Sequence, residues 1–128
     1  MVRHGSDEGS AVAEFVMVSA LLTVLTLGVL QLGLALLVRN TLLDAAAEGA
    51  RYGSLADNTA SDGRALTRDL ITATIGPTYA QEISVTEGSY LGHPAIVVTV
   101  RAPLPAFGLV GIPDALEVSG HASLESLD

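Results

Sequence analysis

The sequence predicts an α+β fold: one long N-terminal helix with a transmembrane first half, a short second helix and a three-stranded antiparallel sheet. Three observations predict it. Residues 15–38 are an uncharged, aliphatic run of 24 residues. The helical pattern continues beyond that run to about residue 56, then returns once more after a polar break. From residue 82 onward the apolar period changes from that of a helix to two, the period of a strand.

The apolar run from Phe15 to Val38 is dominated by Leu, Val and Ala, with Ser19, Thr23, Thr26 and Gln31 as its polar members. A helix of this length reaches roughly 36 Å, against about 30 Å for the hydrocarbon core of a bilayer. Burial inside a soluble domain is the first rival, but a chain this short has too small a core to surround such a helix. A cleaved secretory signal is the second, yet the run is too long, is preceded by Asp7 and Glu8, and ends at Val38-Arg39-Asn40 without a small-x-small site. A retained span over about 15–38 is the better reading. Arg3 and His4 precede the span and Arg39 and Arg51 follow it, so basic residues alone leave its orientation undecided.

The remaining elements follow in order. Residues 1–9 are polar and precede the helix, which is expected over 10–56 and leaves the lipid in its second half. Asn40 to Ala56 is made of good helix formers, and Gly49 and Gly53 would weaken it by about 1 kcal/mol each unless close packing needs them. Asp57 to Gly63 is a break rich in turn formers. Arg64 to Ile75 reads as a second helix, with Leu66, Leu70 and Ala73 on one face, Ser61 or Asp62 as its cap and Gly76-Pro77 as its stop. Strands are expected at 82–86, 95–100 and 116–125, the second apolar enough to be covered on both faces and the third half-buried. Ala102 to Pro113, with three prolines, reads as a hydrophobic loop. Residues 57–128 then form a small helix-plus-sheet domain, too small to bury a generous core alone. The far half of the long helix is expected to pack across the sheet and complete it, giving a lollipop.

Composition excludes several function classes. Fourteen acidic residues against six basic, a net charge of −8, oppose a nucleic-acid partner, which needs a cationic surface. Without cysteine there is no disulfide, thiolate metal site or cysteine nucleophile. His4, His93 and His121 are scattered, with no metal-ligand spacing, and His121 falls on the polar face of the last strand. No nucleophile elbow, phosphate loop or dinucleotide fingerprint occurs. We expect no catalytic residue, no metal and no cofactor.

One charge is out of place. Glu14 stands at the mouth of the apolar run. An acid in the first turn of a helix is favoured by the helix dipole, by about 0.3–1 kcal/mol, and near the interface it can stay wet. A carboxylate at membrane depth, in contrast, calls for a cationic partner. The α-amino group of a neighbouring chain would supply one if that chain were cut just before Ser10.

The run Gly9-Ser10-Ala11-Val12-Ala13-Glu14-Phe15 resembles the processing site of type IV pilin precursors, in the Glu-Phe form of the tight-adherence, or Flp, subclass. The stretch from Gly9 to Gly53 further resembles the TadE-like pseudopilin family, most specifically through Ala47-Glu48-Gly49-Ala50-Arg51-Tyr52-Gly53. The C-terminal half matches in pattern only, with Pro103 to Gly111 in the place of a proline-rich loop.

The resemblance implies a type IV pilin-like molecule that assembles and does not catalyse. Residues 1–9 would be a leader, removed between Gly9 and Ser10 by a prepilin peptidase on the cytoplasmic side. Glu14 and Phe15 would set assembly and register. The remaining partners would be other pilin or pseudopilin subunits, the inner-membrane assembly platform and membrane lipid. The chain would cross the bacterial inner membrane once, with its C-terminal domain outside the cytoplasm, and could enter a surface pilus.

Ala46, Gly49, Ala50 and Gly53 suit close helix contact, either with another subunit or with the chain's own sheet. The loop around Phe107 and Leu109 is either a partner-docking surface or a cover for its own sheet. Two rivals keep the span but change the role: a single-span anchor carrying a binding domain, with Gly9 uncut, and a secreted binding module.

Overall fold

In a computed structural model that describes residues 4–106 and 110–124, the chain forms two helices, a short 3₁₀ turn and three strands. Helix α1 spans His4–Gly53, α2 Ala60–Ile75, the 3₁₀ turn Pro77–Ala80, β1 Glu82–Tyr90, β2 His93–Ala106 and β3 Val110–Ser123. The expected α+β architecture is therefore present. Residues 1–33 and 34–128 are separate compact units. Phe107 and Leu109 lie outside the described residues.

The described part of the first unit is helix throughout. It begins at His4, not at Ser10 as the polar composition of the preceding segment suggested. Asp7 in the first turn is favoured there by the helix dipole.

In the second unit α1 carries a buried stripe of Val38, Leu42, Ala45, Ala46, Gly49, Ala50 and Gly53. The spacing of three and four keeps these residues on one side of the helix. Ala47 is exposed. The helix stops at Gly53. Its last carbonyls are taken up locally: the Ser54 hydroxyl donates to Arg51 O at 2.7 Å and the Asn58 amide to Tyr52 O at 2.9 Å.

Helix α2 starts four residues earlier than expected, because the cap is Thr59. Its hydroxyl accepts from the Asp62 N–H at 3.3 Å while the Asp62 carboxylate accepts from the Thr59 N–H at 2.8 Å. This reciprocal capping box satisfies two otherwise orphaned donors. The expected apolar face of Leu66, Leu70 and Ala73 is rotated from the one in place. The buried stripe is Gly63, Thr67 and Ile71, with Leu66 and Leu70 at its margin and Ala73 exposed. Gly76 ends the helix, as expected, at a φ of 103°.

The sheet has the order β1-β2-β3, both pairs antiparallel. Ile83, Val100 and Val118 are partners across it, as are Val85, Val98 and Gly120. That face joins the core shared with Val38, Leu42, Ala46 and Ile71. The other face carries Glu82, Ser84, Thr99, Arg101, Glu117 and Ser119. Alternation is thus stronger in β2 than its composition suggested: Ile96, Val98 and Val100 are buried, Val97 and Thr99 only half-buried.

The segment read as a loop is mostly sheet. β2 continues to Ala106 and β3 begins at Val110, with a register shift between Ala102 and Leu104. Pro103 falls at that irregularity. Beyond Arg101 β2 has no β1 residue beside it, so prolines there interrupt no ladder on that side.

Candidate functional site

The residues singled out near the N-terminus all lie on α1 in the first unit. Gly9, Ser10 and Glu14 are exposed, and Phe15 is 73% exposed. A side chain added at Gly9 would meet nothing within 4 Å. Among the described residues Glu14 makes no ion pair. The Gly9–Glu14 segment is therefore open to an outside partner.

The apolar surface that follows is equally uncovered. Val16, Met17, Leu21, Leu22, Val24, Leu25, Leu27, Val29, Leu30 and Leu32 are all more than half exposed. They run around the helix and not along one stripe, which is the pattern of a helix surrounded by apolar material. Only 6% of the most apolar stretch is buried by the chain itself, whereas the core helix of a soluble domain is mostly buried. The helix is long and apolar enough to cross a membrane. Its two threonine hydroxyls are compatible with lipid: Thr23 donates to Ser19 O and Thr26 to Leu22 O, each at 2.8 Å. Both threonine O–H groups are thus paired within their own segment, as hydrocarbon requires.

Ala46, Gly49, Ala50 and Gly53 sit in the second unit and are all buried. Gly49 and Gly53 face Gly63 and Thr67 of α2. A Cβ on Gly49 would meet the Thr67 side chain and stand 2.8 Å from Gly63 O, and one on Gly53 would stand 3.2 Å from Gly63 Cα. The Thr67 hydroxyl donates to Gly63 O at 2.8 Å, so the polar atom in this contact is satisfied. Gly63, Thr67 and Gly120 are the positioning residues that sequence reasoning missed. Gly63 had been read as part of a turn, and Thr67 had not been singled out. A glycine three to four residues from other small residues in α2 was the one available signal.

The outer face of the sheet is polar. Arg101 and Glu117 pair at 3.6 Å, and the Thr99 and Ser119 hydroxyls hydrogen-bond at 3.1 Å. The rings of Tyr90 and His121 meet at a tilt of 39°, with centroids 3.7 Å apart. Glu48 and Arg51 form an exposed ion pair on α1. Among the described residues no group of three His, Cys, Asp or Glu side chains could hold a metal ion.

Comparison with known proteins bears on the N-terminal third. Residues 9–51 match the family described as TadE-like protein. No curated protein and no solved structure matches the chain. The match covers the segment in which the resemblance was recognised, and it brings the context of the tight-adherence pilus with it. Over residues 9–51 the chain is thus similar to a pilus-associated family, and the helix that carries this segment is long and apolar enough to cross a membrane.

Proposed function

We propose that this chain, TadE-like over residues 9–51, is a minor pilin of a tight-adherence pilus, matured by a prepilin peptidase and assembled through α1. The observation that carries the proposal is the conjunction on one helix of Gly9-Ser10, a Glu14 with no ion pair among the described residues and a lipid-length apolar surface exposed all round. Residues 1–9 are the leader, residues 10–53 the assembly helix and residues 57–128 the domain displayed outside the cytoplasm. Cleavage after Gly9 creates a Ser10 α-amino group, cationic at neutral pH. Glu14 of an adjacent subunit is its partner, and the pair sets the axial offset between two helices as each exchanges lipid for the other. The glycine suits the cut twice: it leaves room for the protease, and it weakens the helix locally by about 1 kcal/mol relative to alanine.

Substitution tests both parts. Gly9→Leu should leave the precursor uncut in the membrane; normal maturation would refute the peptidase reading. Glu14→Gln should spare insertion and impair incorporation into the pilus; wild-type incorporation would refute the register role. The alternative is a single-span anchor with a small extracytoplasmic binding domain. It is favoured by the continuity of α1 through Gly9-Ser10, and it predicts that Gly9→Leu changes nothing.

A further inference from the structure

In the second unit α1 and α2 run antiparallel and in step. A Cβ on Gly53 would stand 3.2 Å from Thr59 O and from Gly63 Cα, and one on Gly49 would stand 2.8 Å from Gly63 O. The Thr67 hydroxyl lies 3.5 Å from Ala45 O, and Leu70 and Thr74 share a cleft with Thr41, Asp44 and Ala45. Each turn back along α1 thus meets one turn forward along α2. Continued by one more turn, the same spacing brings the end of α2 at Ile75 level with Leu37 and Val38. Burial agrees with this. Val38 is only 2% exposed and shares a core cluster with Ile71 and Ala80, against which Ile75 and Tyr79 pack. The 3₁₀ turn Pro77–Ala80 follows at once, with Pro77 and Thr78 exposed.

That level has a meaning in lipid. The uncharged run counts 24 residues from Phe15, and about 20 are enough to cross a hydrocarbon core. Its last residues, Leu36 to Val38, therefore emerge among the headgroups. Leu36 and Leu37 are half exposed or more, while Val38 is covered by its own domain. Lipid and domain thus meet the helix at one height, on different sides. We infer that the end of α2 and the 3₁₀ turn, Gly76 to Tyr79, rest on the headgroup layer of the bilayer that α1 crosses. The residue types suit that depth. Tyrosine, with an apolar ring and a polar tip, is enriched at the membrane interface, and Pro77 has no N–H to desolvate. No acid lies between Leu70 and Gln81, and Glu82 beyond them is paired in register with Arg101. Exposed Arg39, which makes no ion pair among the described residues, stands at the same level to meet lipid phosphate. The acids of α2, Asp62 and Asp69, lie further from this end. The inference rests on the reading of α1 as a membrane span and not on cleavage at Gly9.

The chain contains no tryptophan, so a single introduced one reports alone. The full chain carrying Thr78→Trp, reconstituted in phosphatidylcholine vesicles, should lose emission to lipids with a nitroxide near the headgroup. It should lose less to lipids with a nitroxide near the end of the acyl chain. Ser61→Trp, exposed in the first turn of α2 and roughly 20 Å further along it, should lose little to either. Leu27→Trp, inside the apolar run, should be quenched most by the deep nitroxide. If Leu27→Trp behaves so, the inference is overturned when Thr78→Trp is quenched no more than Ser61→Trp, or more by the deep label than by the shallow one. The span reading then still stands. If Leu27→Trp escapes the deep nitroxide, the span reading itself fails and the inference falls with it.

Discussion

Gly120 of β3 lies against the backbone of α1 at Ala46: a Cβ placed on it would stand 2.7 Å from the Ala46 carbonyl oxygen. Backbone cannot move aside as a flexible side chain can. Gly120→Ala should therefore destabilise the second unit by about 1–3 kcal/mol, the usual cost of overpacking. Gly88→Ala, in a strand position with nothing within 4 Å, should stay within about 0.5 kcal/mol of wild type or gain slightly. Urea unfolding of the two variants, followed by tyrosine near-ultraviolet dichroism, checks the contrast.

The α1–α2 contact makes the same kind of demand. A Cβ on Gly63 would stand 2.6 Å from Gly49 O. Gly63→Ala gains helix propensity of roughly 1 kcal/mol yet should still lower stability, since the clash is with backbone. Thr67→Val keeps the shape and loses the hydroxyl's bond to Gly63 O, so about 1 kcal/mol should be lost. An increase in unfolding midpoint for Gly63→Ala would show that the two helices are free to separate.

Thr59→Ala should cost about 1 kcal/mol by removing the capping box, whereas Thr59→Ser should cost little. Hydrogen exchange at the first turn of α2 is the sensitive readout, with Thr59→Ala raising it there more than at Ile71.

Reversing the Arg101–Glu117 pair should change stability by less than about 1 kcal/mol, because both side chains are more than half exposed. A larger loss on chemical denaturation would mean that another molecule covers this polar face.

Much of this fold is legible in residue pattern. The uncharged run announced α1, and strict alternation from Leu116 to Leu124 announced β3. The errors share a physical origin. Proline suggested a loop at 102–113, but β2 has outrun β1 there, so the prolines cost no pairing. Leucines suggested the packed face of α2, but helix backbones that approach this closely need Gly63 and Thr67, not bulk. Pattern reading locates apolar surface, and it misses contacts made by the absence of a side chain. The N-terminal candidates Gly9, Glu14 and Phe15 were read from a local string and not from tertiary packing, and the family match over residues 9–51 spans them.

The most direct test is the intact mass of the protein recovered from membranes and sheared pili of cells with a working prepilin peptidase. The account predicts a chain beginning at Ser10, in both fractions. A mass retaining residues 1–9 would contradict it in favour of a plain anchor, and loss through about residue 38 would contradict it in favour of a secreted domain.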